Sequence, residues 1–347
     1  MTLPIRPPLK PMLARVRDEL PSGDGWLFEP KWDGFRALVF RDGEDLELVS
    51  RDGRGLGRYF PELVEPVLRS FPERCVVDGE IVVAGRDGLD FDALLLRIHP
   101  AESRVRLLAR EIPASFVAFD LVALDDDDLS RTRFAERRAR LEQVLDVGGG
   151  GSPERTIEVL GRGGSHVAVT AQTDDRDHAL EWFTSLEAYG LDGVIAKPAD
   201  VAYLPGERVL VKVKHKRTAD CVVGGYRLAK SGDGIGSLLL GLYDEAGVLQ
   251  YIGHTSSFKA AERRRLLKEL RPLEGGHSFG EGRTPGGPSR WSQGRDASWT
   301  PIEPRLVCEV EYDHLQGNRF RHATRFLRWR DDKPPSECTL DQLRSSR

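Results

Sequence analysis

The sequence predicts an α+β chain in two domains, the second a small closed β-barrel. Three observations predict it. The chain has 347 residues, a little over twice the ~150 of a typical domain. Residues 1–215 alternate strand-like and helix-like segments, whereas after Lys214 short apolar runs between Gly-rich turns take over. Hydrophobic residues make up 39% and charged residues 31%, which supplies apolar material for two cores and excludes disorder throughout.

In the first part, strands are predicted at FRALVF (35–40), DLELVS (45–50), CVVDGEIVVA (75–84), FVAFDLVAL (116–124), GVIAKP (193–198) and VLVKVK (209–214). All are rich in β-branched residues and bounded by turn formers. Helices are predicted at 61–70, 131–145 and 177–189; Ser130 offers the second an N-cap, and Phe134, Leu141 and Val144 give it an apolar face. The GGGGS stretch at 148–152 reads as a flexible surface loop.

HKRTAD (215–220) reads as a short polar connector. Beyond it, CVVGGYRL, GSLLLGLY, LQYIGHT and LVCEVEYD are strand candidates, and FKAAERRRLLKEL (258–270) is a helix. Four or five short strands with one helix suit an OB-fold. The stretch 271–304, rich in Gly, Pro and Ser, reads as a loop ordered on contact.

Composition removes several classes of function. A mean hydropathy of −0.40, with no apolar run near the ~18 residues of a membrane helix, excludes a helical spanning protein. The opening MTLPIRPPLKPML places Pro where a signal peptide needs an apolar segment. The four cysteines (Cys75, Cys221, Cys308, Cys338) are far apart. They form neither a zinc ribbon nor a disulfide scaffold, and reduced thiols in a cytoplasmic protein are expected. The eight histidines are scattered, with no His/Cys cluster for a transition metal. Net charge is −4, unlike a basic nucleic-acid coat protein. Residues 221–347 hold 20 Lys+Arg against 16 Asp+Glu, however, so that part is +4 and the remainder −8.

The sharpest feature is Glu29-Pro-Lys31-Trp-Asp33-Gly34-Phe-Arg36. A lysine amine acts as a nucleophile only when deprotonated, which needs nearby cations or a metal to lower its pKa. Lys197, in VIAKP, and Lys212 and Lys214, in VLVKVK, are further candidates. Alternation puts Lys212 and Lys214 on one strand face. That face is either a solvated edge or a cradle for phosphate oxygens. Phe119 reads equally as a core aromatic, and Arg51-Asp-Gly53 as a hairpin turn. RFRHATRFLRWR reads as a solvated strand or a nucleic-acid contact.

Taken in order, Lys31-Trp-Asp33-Gly34, Ser50-Arg51-Asp-Gly53, Val77-Asp78-Gly79-Glu80, Phe119-Asp120, Asp192-Gly193-Val-Ile-Ala-Lys197, Val211-Lys212-Val-Lys214 and Arg325-Phe-Leu-Arg328-Trp-Arg330-Asp-Asp332-Lys333 resemble the collinear motifs of the covalent nucleotidyltransferases. Among these, the ATP-dependent DNA ligases are most similar, and EPKWDGFRALVF and RFRHATRFLRWRDDK resemble the small bacterial ligase C group.

The resemblance implies a mixed α/β nucleotidyltransferase (ATP-grasp-like) adenylation domain over 1–215 and an OB-fold domain over 216–347. It implies that Lys31 attacks the α-phosphate of ATP and carries AMP, and that Arg36 and Glu80 contact the ribose. Glu29 would contact adenine, Phe119 would pack on it, and Arg51 would contact phosphate. Glu80 and Asp192 would ligate magnesium, with manganese an alternative. Asp192 stands where the family usually has Glu. Lys197, Lys212 and Lys214 match phosphate-binding lysines, and Arg325, Arg328, Arg330, Asp332 and Lys333 match the motif that orients pyrophosphate. Several cations around Lys31 are expected to depress its pKa.

The implied reaction is sealing of nicked double-stranded DNA in repair, by a monomer whose barrel swivels about the connector; its protein partners are unspecified. An RNA ligase or a GTP-dependent capping-type enzyme shares the lysine motif and is the alternative reading. A non-catalytic nucleic-acid-binding module is disfavoured by the intact lysine and carboxylate set.

Overall fold

The computed structural model describes residues 1–85, 87–145, 151–164, 166–280, 285, 298–313 and 315–344. The chain divides into two compact units, Met1–His215 and Lys216–Arg347.

Two large sheets build the first unit, beside a two-stranded ribbon of Ala84–Gly85 and Gly88–Leu89. One has the order Leu13–Arg17, Arg208–Val213, Val194–Pro198, Trp26–Pro30. The other runs Val167–Val169, Ser115–Leu124, Arg74–Val82, Phe35–Asp42, Asp45–Ser50. Alternation sorts the side chains of the second sheet. Ala37, Val39, Val77, Ile81 and Ala118 bury one face together with Phe60, Leu63 and Val67 around the Val64–Ser70 helix. Leu38, Phe40, Val76 and Val122 pack with Met12, Tyr203 and Leu210, and Ile195 of the first sheet lies against them. Leu38 and Phe40 are fully buried; each such side chain contributes roughly 1.5–3 kcal/mol of transfer free energy. The candidate residues Glu29, Arg36, Glu80, Phe119, Lys197 and Lys212 lie on these facing strands, with Lys31 and Lys214 just past two strand ends.

Every strand and helix predicted for this unit is present, with ends shifted by a few residues. The helix at 131–145 starts later than expected: it spans Phe134–Val144, and Arg133, not Ser130, is its N-cap, without a side-chain hydrogen bond. Ser130 instead accepts a backbone bond from Tyr203 at 2.7 Å. The strands Leu13–Arg17, Trp26–Pro30 and Val167–Val169 and the helices Phe91–Leu96, Glu102–Glu111 and Pro153–Leu160 were not foreseen. The three strands are only three to five residues long, too short to establish a period of two. Of the glycine-rich stretch, residues 148–150 lie outside the described residues, while Ser152 accepts a capping bond from Arg155 N at 3.3 Å and so belongs to a helix start.

In the second unit the sheet runs Leu249–Thr255, Ile235–Tyr243, Arg217–Leu228, Val307–Tyr312, Arg325–Trp329. Its two outer strands meet: Thr324 N donates to His254 O at 3.0 Å and Thr255 Oγ1 to Thr324 O at 2.8 Å. This closes a five-stranded barrel with OB-fold strand order. The helix Ala260–Leu270 buries Leu266, Leu267 and Leu270 against it. The supposed connector is mostly strand, since Arg217–Asp220 pair with Glu309–Tyr312; polar side chains on a half-exposed strand hid it. Of the loop predicted over 271–304, residues 281–284 and 286–297 lie outside the described residues, and Thr300–Pro301 form a short strand against Gly225 and Tyr226. Among the described residues, no helix is long and apolar enough to cross a membrane.

Candidate active site

Strand register assembles the first wall. Ile195 is the cross-strand partner of both Glu29 and Lys212, so alternation sets these three in one row on one face. One step along, Lys31 N donates to Gly193 O at 2.9 Å and Asp192 N to Lys31 O at 3.0 Å. The same face then presents Lys31 and Lys214. Lys31 Nζ lies 2.6 Å from Asp192 Oδ2, and Lys214 Nζ lies 2.9 Å from the same oxygen. Gly193 makes this crossing possible. Its φ is +122°, and a Cβ there would fall 2.0 Å from Val213 O, so only glycine fits.

The second sheet supplies the opposite wall. Arg36 and Glu80 are cross-strand partners. Arg36 forks onto the fully buried Asp78, with Nε to Oδ1 at 2.6 Å and Nη2 to Oδ2 at 2.7 Å. Tyr203 Oη donates to the same carboxylate at 2.6 Å. The guanidinium of Arg36 sits 4.3 Å from the Phe119 ring centroid. At Gly34, an added Cβ would stand 2.2 Å from Ile81 O and 2.8 Å from Glu80 Cγ. The Asp33-Gly34 turn therefore lies directly against the Glu80 strand.

Glu29 closes the interior end. Its carboxylate is buried and accepts from three donors: Lys197 Nζ at 2.7 Å on Oε2, and Gln172 Nε2 at 3.1 Å and Arg138 Nη1 at 3.3 Å on Oε1. Lys197 Nζ also lies 4.6 Å from the Phe119 centroid and 4.5 Å from that of Phe134. Next to Phe119, Asp120 is gripped by Arg137 at 2.8 and 2.9 Å, both side chains buried.

The electrostatics depart from the expectation in one respect. Burial disfavours charge on Lys31, yet Asp192 above all, with Asp33 and Glu80, holds its pKa above the ordinary lysine value. The neighbouring carboxylates outweigh the cations, so a lowered pKa does not hold for this state. At Lys212 burial first, then repulsion from Lys214 and Lys31, lowers the pKa. Lys197 is lowered chiefly by burial, in spite of Glu29. Burial pushes the Glu80 carboxyl up to about 7, although Arg36 and Lys31 oppose the shift.

The structure thus brings together Lys31, Asp192, Lys212 and Lys214 on one wall, Arg36, Glu80 and Phe119 on the other, and Glu29 with Lys197 at the interior end. Lys197 is directed at Glu29 rather than at Asp192. Arg51 follows Ser50, the cross-strand partner of Ala37, on an exposed turn closed by Gly53 N to Ser50 O at 2.8 Å, and lies 3.4 Å from Asp52. The C-terminal motif belongs to the second unit. Arg330 bonds Asp220 at 2.8 and 2.9 Å and Asp332 at 2.8 Å, and Lys333 bonds Asp220 at 2.8 Å. Arg328 pairs with Glu309 at 2.6 Å, and Arg325 reaches Glu311 at 3.9 Å.

Sequence reasoning missed Asp78, Tyr203, Arg137, Arg138 and Gln172. Asp78 stood inside a motif already singled out. Arg137 and Arg138 follow the apolar Phe134 by three and four residues, which puts all three on one helix face and was the available signal. Nothing in the sequence marks Tyr203 or Gln172.

Comparison with known proteins bears on the whole chain. Residues 11–214 match the family model "ATP dependent DNA ligase domain", and residues 231–333 match "ATP dependent DNA ligase C terminal region". DNA ligase C1 of Mycolicibacterium smegmatis is 50% identical over 353 residues, 99% of this chain and 96% of that protein. DNA ligase C of Mycobacterium tuberculosis is 50% identical over 356 residues, with the same coverage of both chains. Among solved structures, one titled as a structure–function analysis of Lig E DNA ligases aligns with a TM-score of 0.57 at 18% identity, covering 92% of this chain and 99% of that one; it shows a shared fold.

Proposed function

The chain belongs to the ATP-dependent DNA ligase family, and from that premise we propose how its own residues carry the reaction. Lys31 is the nucleophile. Its ammonium first passes a proton along the 2.6 Å contact to Asp192; the free amine then attacks the α-phosphorus of ATP, a P–N bond forms as the bond to pyrophosphate breaks, and the second amine proton goes to solvent. AMP then passes to the 5′-phosphate of a nick. The 3′-hydroxyl attacks that phosphate, AMP departs, and the strand is sealed.

Lys212 and Lys214 stand beside Lys31 to hold phosphate oxygens, where fixed positive charge stabilises the transition state. Arg36, locked by Asp78, contacts the ribose, while Phe119 and Glu29 receive the base. In the second unit Arg330 and Lys333, held by Asp220, orient pyrophosphate.

The donor set fits a magnesium ion, or manganese in its place. Among the described residues no cluster of three metal-ligating side chains occurs, and magnesium is commonly held by one or two carboxylates with water and phosphate. Glu80 is the carboxylate suited to it, with Asp192 beside the lysines. When bound, the cation neutralises triphosphate charge that would repel the amine.

Nicked duplex DNA is the substrate and repair the setting, in the cytoplasm. The observation that carries this reading is the grouping of Lys31, Asp192 and Lys214 in one ion-paired cluster. The test is incubation with ATP labelled on the α-phosphate, then denaturing electrophoresis. A label that survives denaturation, needs ATP rather than GTP and disappears in Lys31→Ala is expected; no label overturns the assignment. Sealing of nicked RNA in preference to nicked DNA would favour the RNA-ligase alternative.

A further inference from the structure

The helix Phe134–Val144 lies outside every motif named above, yet one of its faces touches the site at three points. Phe134 lies under the Lys197 ammonium at 4.5 Å. Arg137 clamps Asp120, the residue after Phe119. Arg138 bonds Glu29 at 3.3 Å and is itself buried. Offsets of three and four residues place these side chains on a single helix face. Arg138 is fixed further by Glu142 Oε1 at 2.9 Å and by the Thr170 carbonyl, two residues before Gln172. A buried arginine is costly unless fully bonded, and this one is spent on orienting a carboxylate of the nucleotide pocket.

We propose that Arg138, with Gln172, is a positioning pair that sets base selectivity by fixing the Glu29 carboxylate. The inference rests on the reading above that Glu29 meets the base. Each carboxylate oxygen accepts about two hydrogen bonds. Oε1 takes Arg138 and Gln172, and Oε2 takes Lys197, so among the described contacts one acceptor position on Oε2 is left over. Two donors on Oε1 stop the carboxylate from rotating and keep Oε2 turned to the pocket. Adenine presents its 6-amino donor to such an acceptor. Guanine presents a 6-oxo acceptor, which would leave two oxygens opposed and unbonded, the kind of mismatch that gives strong discrimination. Arg138 and Gln172 touch no substrate; they act through Glu29.

The experiment measures formation of the covalent nucleotide adduct by the full chain with α-labelled ATP and GTP, in Arg138→Met, Gln172→Leu, Glu29→Gln and the double variant Arg138→Met/Glu29→Gln. Arg138→Met is expected to raise the KM for ATP about tenfold, with a smaller change in kcat, and to lower the ATP-over-GTP preference by about tenfold. Gln172→Leu should shift both in the same direction by less, and it serves should Arg138→Met fail to fold. Arg138→Lys should recover part of the preference. The double variant should be no worse than Glu29→Gln alone. An unchanged ATP-over-GTP preference in both Arg138→Met and Gln172→Leu, or fully additive losses in the double variant, overturns the proposal. Lys31→Ala run alongside separates the two levels: a surviving adduct there would refute the nucleophile assignment instead.

Discussion

Asp192 Oδ2 lies 2.6 Å from Lys31 Nζ, so the nucleophile of the proposed reaction rests against a carboxylate. Burial opposes the lysine charge, but Asp192 together with Asp33 and Glu80 outweighs it and holds the amine protonated. Attack therefore needs the ammonium first to pass a proton across this contact.

Replacing Asp192 with Asn removes the charge but keeps the shape. The Lys31 pKa should then fall, because burial and the nearby Lys214 and Lys212 are no longer countered at close range. Amine-directed labelling of the nucleotide-free protein over a pH series, read at Lys31 by mass spectrometry, checks this. A titration at higher pH in Asp192→Asn than in the parent would contradict the electrostatics. Adduct formation should slow nonetheless, by tenfold or more, because the oxygen placed to receive the proton has gone.

Glu80 gives a pH dependence of definite sign. Its carboxyl is raised from the ordinary range to about 7, so it is neutral below that pH and ionised above it. A divalent cation favours the ionised form, and its apparent affinity should rise with pH up to about 7 and level off beyond. Stability runs the other way. A carboxyl whose folded pKa is raised costs stability as pH climbs from its unfolded value through about 7. Glu80→Gln should therefore be more stable than the parent at pH 8, by on the order of 2 kcal/mol, with the two converging near pH 4. The checks are cation titrations and thermal melts at several pH values. An affinity that is flat between pH 5.5 and 8 would remove Glu80 as the ligand.

Much of this site was legible before the structure, and the reason is local. Lys31, Asp33 and Gly34, or Asp192 and Gly193, are neighbours in sequence because one strand end must carry both the chemistry and the turn that brings it close to the next strand; the Cβ distances at Gly34 and Gly193 show that geometry. Alternation placed Lys212 and Lys214 on one strand face but did not decide between a solvated edge and a phosphate cradle. What stayed hidden depends on distant pairing. Arg138 reaches Glu29 across 109 residues and Tyr203 reaches Asp78 across 125, and no periodicity encodes such partners. The barrel was visible from its strands, but its first strand begins in polar residues, so Asp220 passed for part of a connector. The raised pKa of Lys31 was out of reach too, since it turns on which charges lie nearest.

Gly193→Ala tests the crossing of the lysine strands. The added methyl meets Val213 O at 2.0 Å in a conformation, φ +122°, that alanine rarely adopts. The loss should be about 2–4 kcal/mol, visible as a lower urea midpoint, and the adduct should disappear with the displaced Lys31. A midpoint within experimental error of the parent would mean the strand ends tolerate a shift that the structure does not allow.

Asp220→Asn bears on the second unit. Asp220 bonds both Arg330 and Lys333 while keeping most of its surface from solvent, so neutralising it should cost the barrel about 1–2 kcal/mol. The functional effect distinguishes the steps. If Arg330 and Lys333 orient pyrophosphate, loosening them should slow adenylylation of Lys31 by about tenfold, since pyrophosphate leaves only in that step. Sealing of a nick that already carries 5′-AMP involves no pyrophosphate and should proceed at the parent rate. Single-turnover assays on nicked DNA and on pre-adenylylated nicked DNA measure the two separately. Equal slowing in both would show that these side chains serve the barrel or the DNA rather than the leaving group, and would withdraw the role assigned to the C-terminal motif.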